Sequence, residues 1–259
     1  SKNAYYHADI IKLVSFLVPP QASLLDVGCG TGNLLNQVKA SKKYGIDFSQ
    51  EMITSAAQKY PLISFINNDI ENLSFMEKFD YVTLIDLTGV LYDVQKSLNE
   101  LHKVTHEKSR VIITFQNNLW APIFSILEWF SLKDKPPVQN WLSFNDVKNL
   151  LYLSGFESIK TGRRVLLPTY IPFISWFLNT FIAQIPGISY LCIIQYIVAR
   201  PIEKLVKNII VAYKKITPDG IVYNNSAPVP VILLDNGLAD GGNTSPTASA
   251  GSDTTITLP

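Results

Sequence analysis

Charge is scarce in this chain, and neither sign is in excess. Of 259 residues, 22 are Lys or Arg and 21 are Asp or Glu, a charged fraction of 17%, against about 25% in an ordinary soluble domain. A net charge of +1 leaves no basic surplus to neutralise a phosphate backbone, which excludes nucleic acid as a partner held by electrostatics. Only two Cys and three His are present. That excludes a disulfide framework, and the scattered His give no structural-zinc spacing, so no metal is expected. No secretory leader is visible: the apolar run from Ile10 to Val18 is broken by Lys12, lacks a basic start and ends in Pro19-Pro20 without a small-residue cleavage site. The first residue is Ser1 rather than Met, which reads as a processed chain or a fragment.

What is present is unevenly spread. Residues 1 to about 164 have the mixed composition of a soluble α/β domain, long enough to bury a core. Between Arg164 and Arg200 there is no charged residue at all. After Thr217 there is no Lys or Arg, and Gly, Pro, Ser, Thr, Asn and Asp accumulate.

Short apolar runs alternate with helical patterns through the first zone. Ser23 to Val27, Tyr44 to Asp47, Ser64 to Asn67, Tyr81 to Ile85 and Val111 to Phe115 read as five strands. Leu91, Val94, Leu98, Leu101 and Thr105 recur at steps of three and four and predict one helix face, which would carry His102 and His106 away from any site. Ser143 and Asp146 form a capping-box pattern ahead of Val147, Leu150 and Leu151, and Gly155 suits the stop of that helix. Strands alternating with helices imply βαβ units, a mostly parallel sheet and a ligand at the carboxyl ends of its strands.

The most informative stretch is Leu24-Leu25-Asp26-Val27-Gly28-Cys29-Gly30-Thr31-Gly32-Asn33. A buried strand runs into three alternate glycines and then a helix. Glycine permits positive φ and removes the Cβ that would keep a ligand from the backbone. Amides at a helix start can face a ligand's polar groups. A dinucleotide fingerprint needs its third glycine where Asn33 stands, which weighs against a nicotinamide-dependent oxidoreductase. Asp47 ends the second strand, at the distance of about 20 residues where a carboxylate takes a ribose diol. Asp69 follows the third strand, where it could hold an adenine amino group or simply make a turn.

These residues carry a resemblance. Leu25-Asp26-Val27-Gly28-Cys29-Gly30-Thr31-Gly32, Gly45-Ile46-Asp47-Phe48-Ser49, Asn68-Asp69 and Phe79-Asp80-Tyr81-Val82 resemble, in order and spacing, the motifs of class I S-adenosylmethionine-dependent methyltransferases. The resemblance covers residues 5 to about 200. Tyr5-Tyr6-His7, Phe16 to Pro20, Asn117 to Trp120, Gln139 to Ser143 and Gln195 to Pro201 are similar to a bacterial subgroup joined to, or encoded beside, dolichol-phosphate-mannose-synthase-like glycosyltransferases.

The resemblance implies a Rossmann-like three-layer α/β sandwich whose seven-stranded, mostly parallel sheet has strand seven antiparallel. It implies S-adenosyl-L-methionine as cofactor. Gly28, Cys29, Gly30 and Gly32 would line its amino acid and ribose ends. Asp26 would organise the loop or hold the ammonium through water. Asp47 would bind the ribose, Phe48 would pack on the adenine, and Asp69 and Ile70 would line the adenine edge. Asp86, just past strand four, would sit where methyl group and acceptor meet.

Methyl transfer from a sulfonium needs alignment more than acid–base chemistry, but a hydroxyl acceptor gains from a general base. Asp86 ranks first, with His7 next, then Tyr92 and Asn117; Asn117, Asn118 and Trp120 would form an acceptor wall. Cys29 is in the loop for its size rather than as a nucleophile.

Pro168, Pro172, Pro186 and Gly187 cut the uncharged zone into pieces shorter than the ~20 residues of a spanning helix. Ile159 to Leu167 would be strand six and Leu191 to Ala199 strand seven. The piece from Phe173 to Ile185 between them could span a membrane, pack as a lid, or lie on the membrane surface with Phe173, Trp176, Phe177 and Phe181.

The expected organisation is a methyltransferase domain over 1–201, with an apolar insertion at 165–190, and a poorly ordered extension over 202–259. In the extension, Ile202 to Ile216 could be a helix, Val229 to Leu234 a strand and Asp235 to Ser252 a linker. The acceptor would be a small molecule, a saccharide or a lipid-linked saccharide. Expected surroundings are the cytoplasm or the inner face of its membrane, with a glycosyltransferase as partner and peripheral membrane contact through 173–185. The non-enzyme alternative is a cofactor-binding module that positions a glycosyltransferase.

Overall fold

The computed structural model describes residues 4–129, 140–168, 170–171, 173–202, 216–217 and 220–221. By contact the chain divides into two units, Ser1–Ile202 and Glu203–Pro259. The first opens with helix α1 (Ala4–Leu17), then β1 (Ser23–Val27), α2 (Asn33–Gln37), β2 (Lys42–Asp47), α3 (Gln50–Lys59) and β3 (Ser64–Asn67). It continues with β4 (Phe79–Ile85), α4 (Val94–Glu100), β5 (Thr105–Gln116) and α5 (Ala121–Trp129). Helix α6 (Phe144–Leu153), β6 (Phe156–Arg164), α7 (Ile174–Thr180) and β7 (Ile194–Pro201) complete it. In the second unit the described residues form a short antiparallel hairpin, β8 (Ile216–Thr217) and β9 (Gly220–Ile221). The segments Val229 to Leu234 and Asp235 to Ser252 lie outside the described residues, as does Ile202 to Ile216 apart from its ends.

The sheet runs β3-β2-β1-β4-β5-β7-β6. Strands β1 to β5 pair in parallel, and β7 lies antiparallel between β5 and β6. This is the α/β layout with an antiparallel seventh strand that the motifs imply.

Neighbouring apolar residues on one strand feed opposite faces, because side chains alternate across a pleated strand. Leu25, Val82, Ile113 and Ala199 pack with Val94 and Leu98 of α4 and Val147 and Leu151 of α6. Leu24, Ile112 and Val198 pack with Ile10 and Val14 of α1, Leu35 of α2 and Ile53 of α3. Two-sided burial is why these strands read as continuous hydrophobic runs.

One expectation needs correction. The periodic residues from Leu91 to Thr105 do not share one helix. Leu91, Val94, Leu98 and Leu101 are buried as the period requires, but α4 begins only at Val94, where the Asp93 side chain accepts from the Lys96 amide at 2.8 Å. Leu101–Lys103 then tightens into a 3-10 turn, and Thr105 begins β5 with its hydroxyl on Leu101 O at 2.8 Å. His102 therefore lies in the turn, stacked on Phe156, and His106 lies in β5 beside Asp80. The helix cap at Ser143 has both capping-box bonds, and Gly155 takes φ 78 after α6.

Helix α7 reverses the usual amphipathic pattern. Ser175 is fully buried and accepts from the Ile171 amide at 2.7 Å. Asn179 accepts from Leu166 and Leu167 amides at 2.6 and 2.9 Å. Phe173, Trp176, Phe177 and Phe181 are exposed. No helix among the described residues is long and apolar enough to cross a membrane.

Candidate cofactor and methyl-transfer site

The glycine loop leaves the carboxyl end of β1 in a left-handed conformation at each glycine: φ is 73 at Gly28, 50 at Gly30 and 74 at Gly32. Their surroundings differ. A Cβ on Gly32 would lie 2.5 Å from the Phe65 ring, whereas one on Gly30 would meet nothing within 4 Å. Gly32 is thus needed for packing, and Gly30 keeps open space over the backbone. The loop is pinned to β2 by the Gly28 and Cys29 amides, which donate to Ile46 O at 2.8 and 3.0 Å.

Asp47 completes the loop. One carboxylate oxygen accepts from the Gly30 amide at 2.8 Å and the other from the Ser49 amide at 2.9 Å. Each oxygen retains acceptor capacity for a ligand hydroxyl. Beside it opens a cleft of about 430 Å³, lined by Gly28, Asp47, Phe48, Asp69, Ile70 and Leu87 among others, Tyr92 included. That volume lies in the range of about 300–1,000 Å³ typical of small-ligand sites. Asp69 also caps the turn Ile70–Asn72 by accepting from the Glu71 amide at 2.9 Å.

Asp26 and Cys29 stand behind the loop. The Asp26 carboxyl is buried and accepts from the Thr83 hydroxyl at 2.7 Å; burial pushes its pKa up to about 7, and the Thr83 bond only partly offsets that. Burial pushes the Cys29 thiol up as well, which disfavours the nucleophilic thiolate. Its sulfur faces Gly45, where a Cβ would approach to 2.7 Å.

Asp86 does not line the cleft; its neighbour Leu87 does. Asp86 takes φ 53, a left-handed conformation that Asp tolerates better than most residues. The Tyr6 hydroxyl of α1 donates to one of its carboxylate oxygens, and the Thr114 hydroxyl donates to the other at 3.0 Å. The Asp86 amide donates to the Thr114 hydroxyl at 3.0 Å. Burial raises the Asp86 pKa, opposed by the bonds from Tyr6 and Thr114 and by His7 nearby. Burial and the adjoining carboxylate raise the Tyr6 phenol too. His7 is exposed, its ring edge-on to Tyr6 at 5.3 Å.

Thr114 carries no local sequence signal as a partner of Asp86, and Tyr6 carries little. The one signal for Tyr6 is that it continues the stripe Ile10, Val14, Val18 at steps of four, so its hydroxyl points inward. Asn117 belongs elsewhere than expected. It is buried, its amide donates to Tyr190 O and Cys192 O at 2.7 and 2.9 Å, and its oxygen accepts from the Leu119 amide at 3.1 Å. With all three bonds made, it clamps the chain before β7 and has no group left for acid–base work. The Trp120 indole likewise donates to Leu191 O at 2.9 Å. Asn117 and Trp120 thus tie two loops together.

Residues 20–146 match the model of a family described as a methyltransferase domain. The segment is matched as a methyltransferase domain, and its sheet order is the one the class I motifs of the sequence imply. The curated relatives point the same way. A dTDP-4-amino-2,3,4,6-tetradeoxy-D-glucose N,N-dimethyltransferase of Saccharopolyspora spinosa is 30% identical over 39% of this chain and 41% of its own length. A dTDP-3-amino-3,4,6-trideoxy-alpha-D-glucopyranose N,N-dimethyltransferase of Streptomyces venezuelae is 28% identical over 48% of this chain and 49% of its own. The chain thus spans less than half the length of these two relatives. Among solved structures, a methyltransferase of Thermotoga maritima, described as a possible histamine N-methyltransferase, aligns with TM-score 0.61 at 16% identity, covering 76% of this chain and 90% of that one. Magnesium protoporphyrin IX methyltransferase of Synechocystis, solved with S-adenosylhomocysteine bound, aligns with TM-score 0.52 at 18% identity, covering 75% and 83%. At such identities the likeness is one of fold.

The motifs imply S-adenosyl-L-methionine as cofactor, and the residues suit it. Gly30 leaves the room a ligand needs, Asp47 offers carboxylate oxygens beside the cleft, and the cleft lies at the carboxyl ends of β1, β2 and β4.

Proposed function

We propose that the methyltransferase domain moves a methyl group from S-adenosylmethionine to a hydroxyl or amino group of a saccharide. The acceptor would be either a small molecule or lipid-linked. The observation that carries this reading is the cleft bordered by the glycine loop and Asp47, with the half-buried Tyr6–Asp86 pair next to it. When bound, the cofactor supplies a methyl group activated by a neutral thioether leaving group.

The roles follow from position. Gly28, Cys29, Gly30 and Gly32 make room for the amino acid and ribose ends. Asp26 braces the loop, Asp47 takes the ribose hydroxyls, and Phe48, Asp69 and Ile70 surround the adenine. Asp86 is the general base, working through Tyr6: the phenol oxygen takes the acceptor's proton as its own proton passes to the carboxylate that already accepts it. His7, exposed beside Tyr6, would then take that proton from the pair and release it to solvent. Asp86 also borders the cofactor through Leu87.

The likeness to the subgroup found with glycosyltransferases favours a glycosyltransferase partner and work at the inner, cytoplasmic face of a membrane. The outward aromatics of α7 support surface contact through 173–185. The organisation we favour is a catalytic domain over 1–201 with its insertion at 165–190, followed by an extension. Titration with S-adenosylhomocysteine, then detection of its release from S-adenosylmethionine with amino- and hydroxy-saccharide acceptors, tests the reading. Binding without turnover on any such acceptor would leave a cofactor-binding module.

A further inference from the structure

The loop that follows β4 forms one wall of the cleft, through Leu87, Val90, Leu91 and Tyr92. Leu87 also packs on the first glycine of the loop after β1: a Cβ on Gly28 would lie 2.9 Å from Leu87 Cδ1. The wall thus touches the glycine loop, and a shift of the wall would open or close the cleft at that point.

The wall is built on a turn. The Val90 amide donates to Leu87 O at 3.0 Å, which leaves Thr88 and Gly89 as the central residues. Carbonyls of central turn residues have no partner within the turn and must find one elsewhere or face water. Here a residue about 50 positions away in the chain takes them. The Asn140 backbone amide donates to Gly89 O at 2.8 Å. Its side-chain nitrogen donates to Thr88 O at 3.2 Å and to Leu91 O at 2.7 Å. That nitrogen carries two hydrogens, and both are used. One residue therefore holds three of the four carbonyls from Thr88 to Leu91.

The flanks of the turn have other anchors. Before it, Tyr6 and Thr114 fix the Asp86 carboxylate. After it, Glu71 Oε1 accepts from the Tyr92 and Asp93 amides at 2.8 and 3.2 Å. Asn140 holds what lies between them.

We propose that Asn140 is a positioning residue for the cofactor: it fixes the turn so that Leu87 stays against Gly28 and the cleft is formed before the cofactor arrives. This role rests on the S-adenosylmethionine reading of the cleft. A site whose wall is in place only part of the time binds in proportion to that fraction. A neutral hydrogen bond is worth about two- to tenfold in an equilibrium. Losing both side-chain bonds should therefore weaken cofactor binding by about 5- to 100-fold. Because Asp86 and Tyr92 keep their own anchors, the loosening should be confined to the turn.

The test combines calorimetric titration with S-adenosylhomocysteine and amide hydrogen exchange of the ligand-free protein, both on the full chain. Asn140 is half-buried, so its variants should fold. Asn140→Ala should weaken S-adenosylhomocysteine binding by about 5- to 100-fold. Asn140→Asp keeps the size of the side chain but turns lone pairs toward two carbonyls, and should bind no better than Ala. Asn140→Gln keeps both N–H groups one methylene farther out and should recover part of the loss. In Asn140→Ala the Val90 amide should exchange faster, while the amides of β1 and β4 exchange as in wild type. Ser143→Ala is the control for general loosening: it takes the cap from α6 without touching the turn, and should lower the thermal midpoint while leaving affinity within about twofold. Asn140→Asp binding as wild type does, unchanged Val90 exchange in Asn140→Ala, or an equal loss of affinity in Ser143→Ala overturns the proposal. Failure of the wild type to bind S-adenosylhomocysteine overturns the methyl-transfer reading instead, and the exchange comparison then still decides whether Asn140 holds the turn.

Discussion

The carboxylate of Asp47 closes the glycine loop by accepting the amide of Gly30 at 2.8 Å. One side chain at the end of β2 therefore sets the backbone of the neighbouring β1 loop as well as facing the cleft. Asp47→Ala should weaken S-adenosylhomocysteine binding by about 10- to 100-fold, the worth of a charge-assisted hydrogen bond. Asp47→Asn keeps an oxygen for Gly30, so it should cost less stability than Ala while still losing affinity. Calorimetry paired with urea unfolding separates the two effects.

Gly30 and Gly32 should fail in different ways. Gly32→Ala drives a Cβ into Phe65 at a positive φ and should destabilise the fold by about 1–3 kcal/mol. Gly30→Ala meets no protein atom and should destabilise by only about 1 kcal/mol, yet lose most cofactor affinity because the new methyl occupies the open space. Denaturant midpoints and cofactor titrations on both variants give the comparison.

Tyr6 and Asp86 should act as a unit. Tyr6→Phe and Asp86→Asn should each lower kcat on a hydroxyl acceptor by about 10²- to 10⁴-fold, and the double variant should be little worse than either. S-adenosylhomocysteine affinity should stay within about threefold of wild type in Tyr6→Phe, since the phenol is assigned to proton transfer. Single-turnover rates on the cycle of variants test this; additive losses would separate the two residues.

Asp26 predicts a pH dependence of stability. Its pKa rises on folding from 3.8 to about 7, so the folded state holds a proton that the unfolded state releases. Below about pH 4 both states are protonated and the group is neutral toward stability; stability is then lost as pH rises through 7. Asp26→Asn keeps the oxygen for Thr83 and removes the titration. Its stability relative to wild type should increase between about pH 4 and pH 8, by roughly 2–4 kcal/mol. Urea unfolding across that range measures it.

The aromatics of α7 predict weak adsorption to lipid. Replacing Trp176, Phe177 and Phe181 with Ser, while keeping the buried Ser175 and Asn179, should abolish flotation with anionic liposomes and leave cofactor binding unchanged. Equal flotation would remove α7 from any membrane role.

Much of the sheet could be read along the chain because each strand is buried on both faces, and local apolar runs bounded by glycine and aspartate are a local signal. The glycine loop and Asp47 were legible for the same reason: a strand, a turn and a helix start lie within a few residues. The period over Leu91 to Thr105 suggests one helix because burial has the same period whether the backbone stays helical or tightens and turns into a strand.

The sequence by itself determined the Rossmann-like order of elements and the family of the cofactor, since both rest on short-range patterns. Only the tertiary structure brought Tyr6 to Asp86, made Asn117 a clamp on the chain before β7, and left Arg163 Nε and Gln195 Oε1 without hydrogen-bond partners. Those pairings join residues far apart in the chain, and no local period records which distant partner a buried polar group finds, or that it finds none. The scarcity of charge has the same explanation. Within the uncharged zone the polar groups of Ser175 and Asn179 are spent inward on backbone, and the two arginines that precede it, Arg163 and Arg164, take opposite fates.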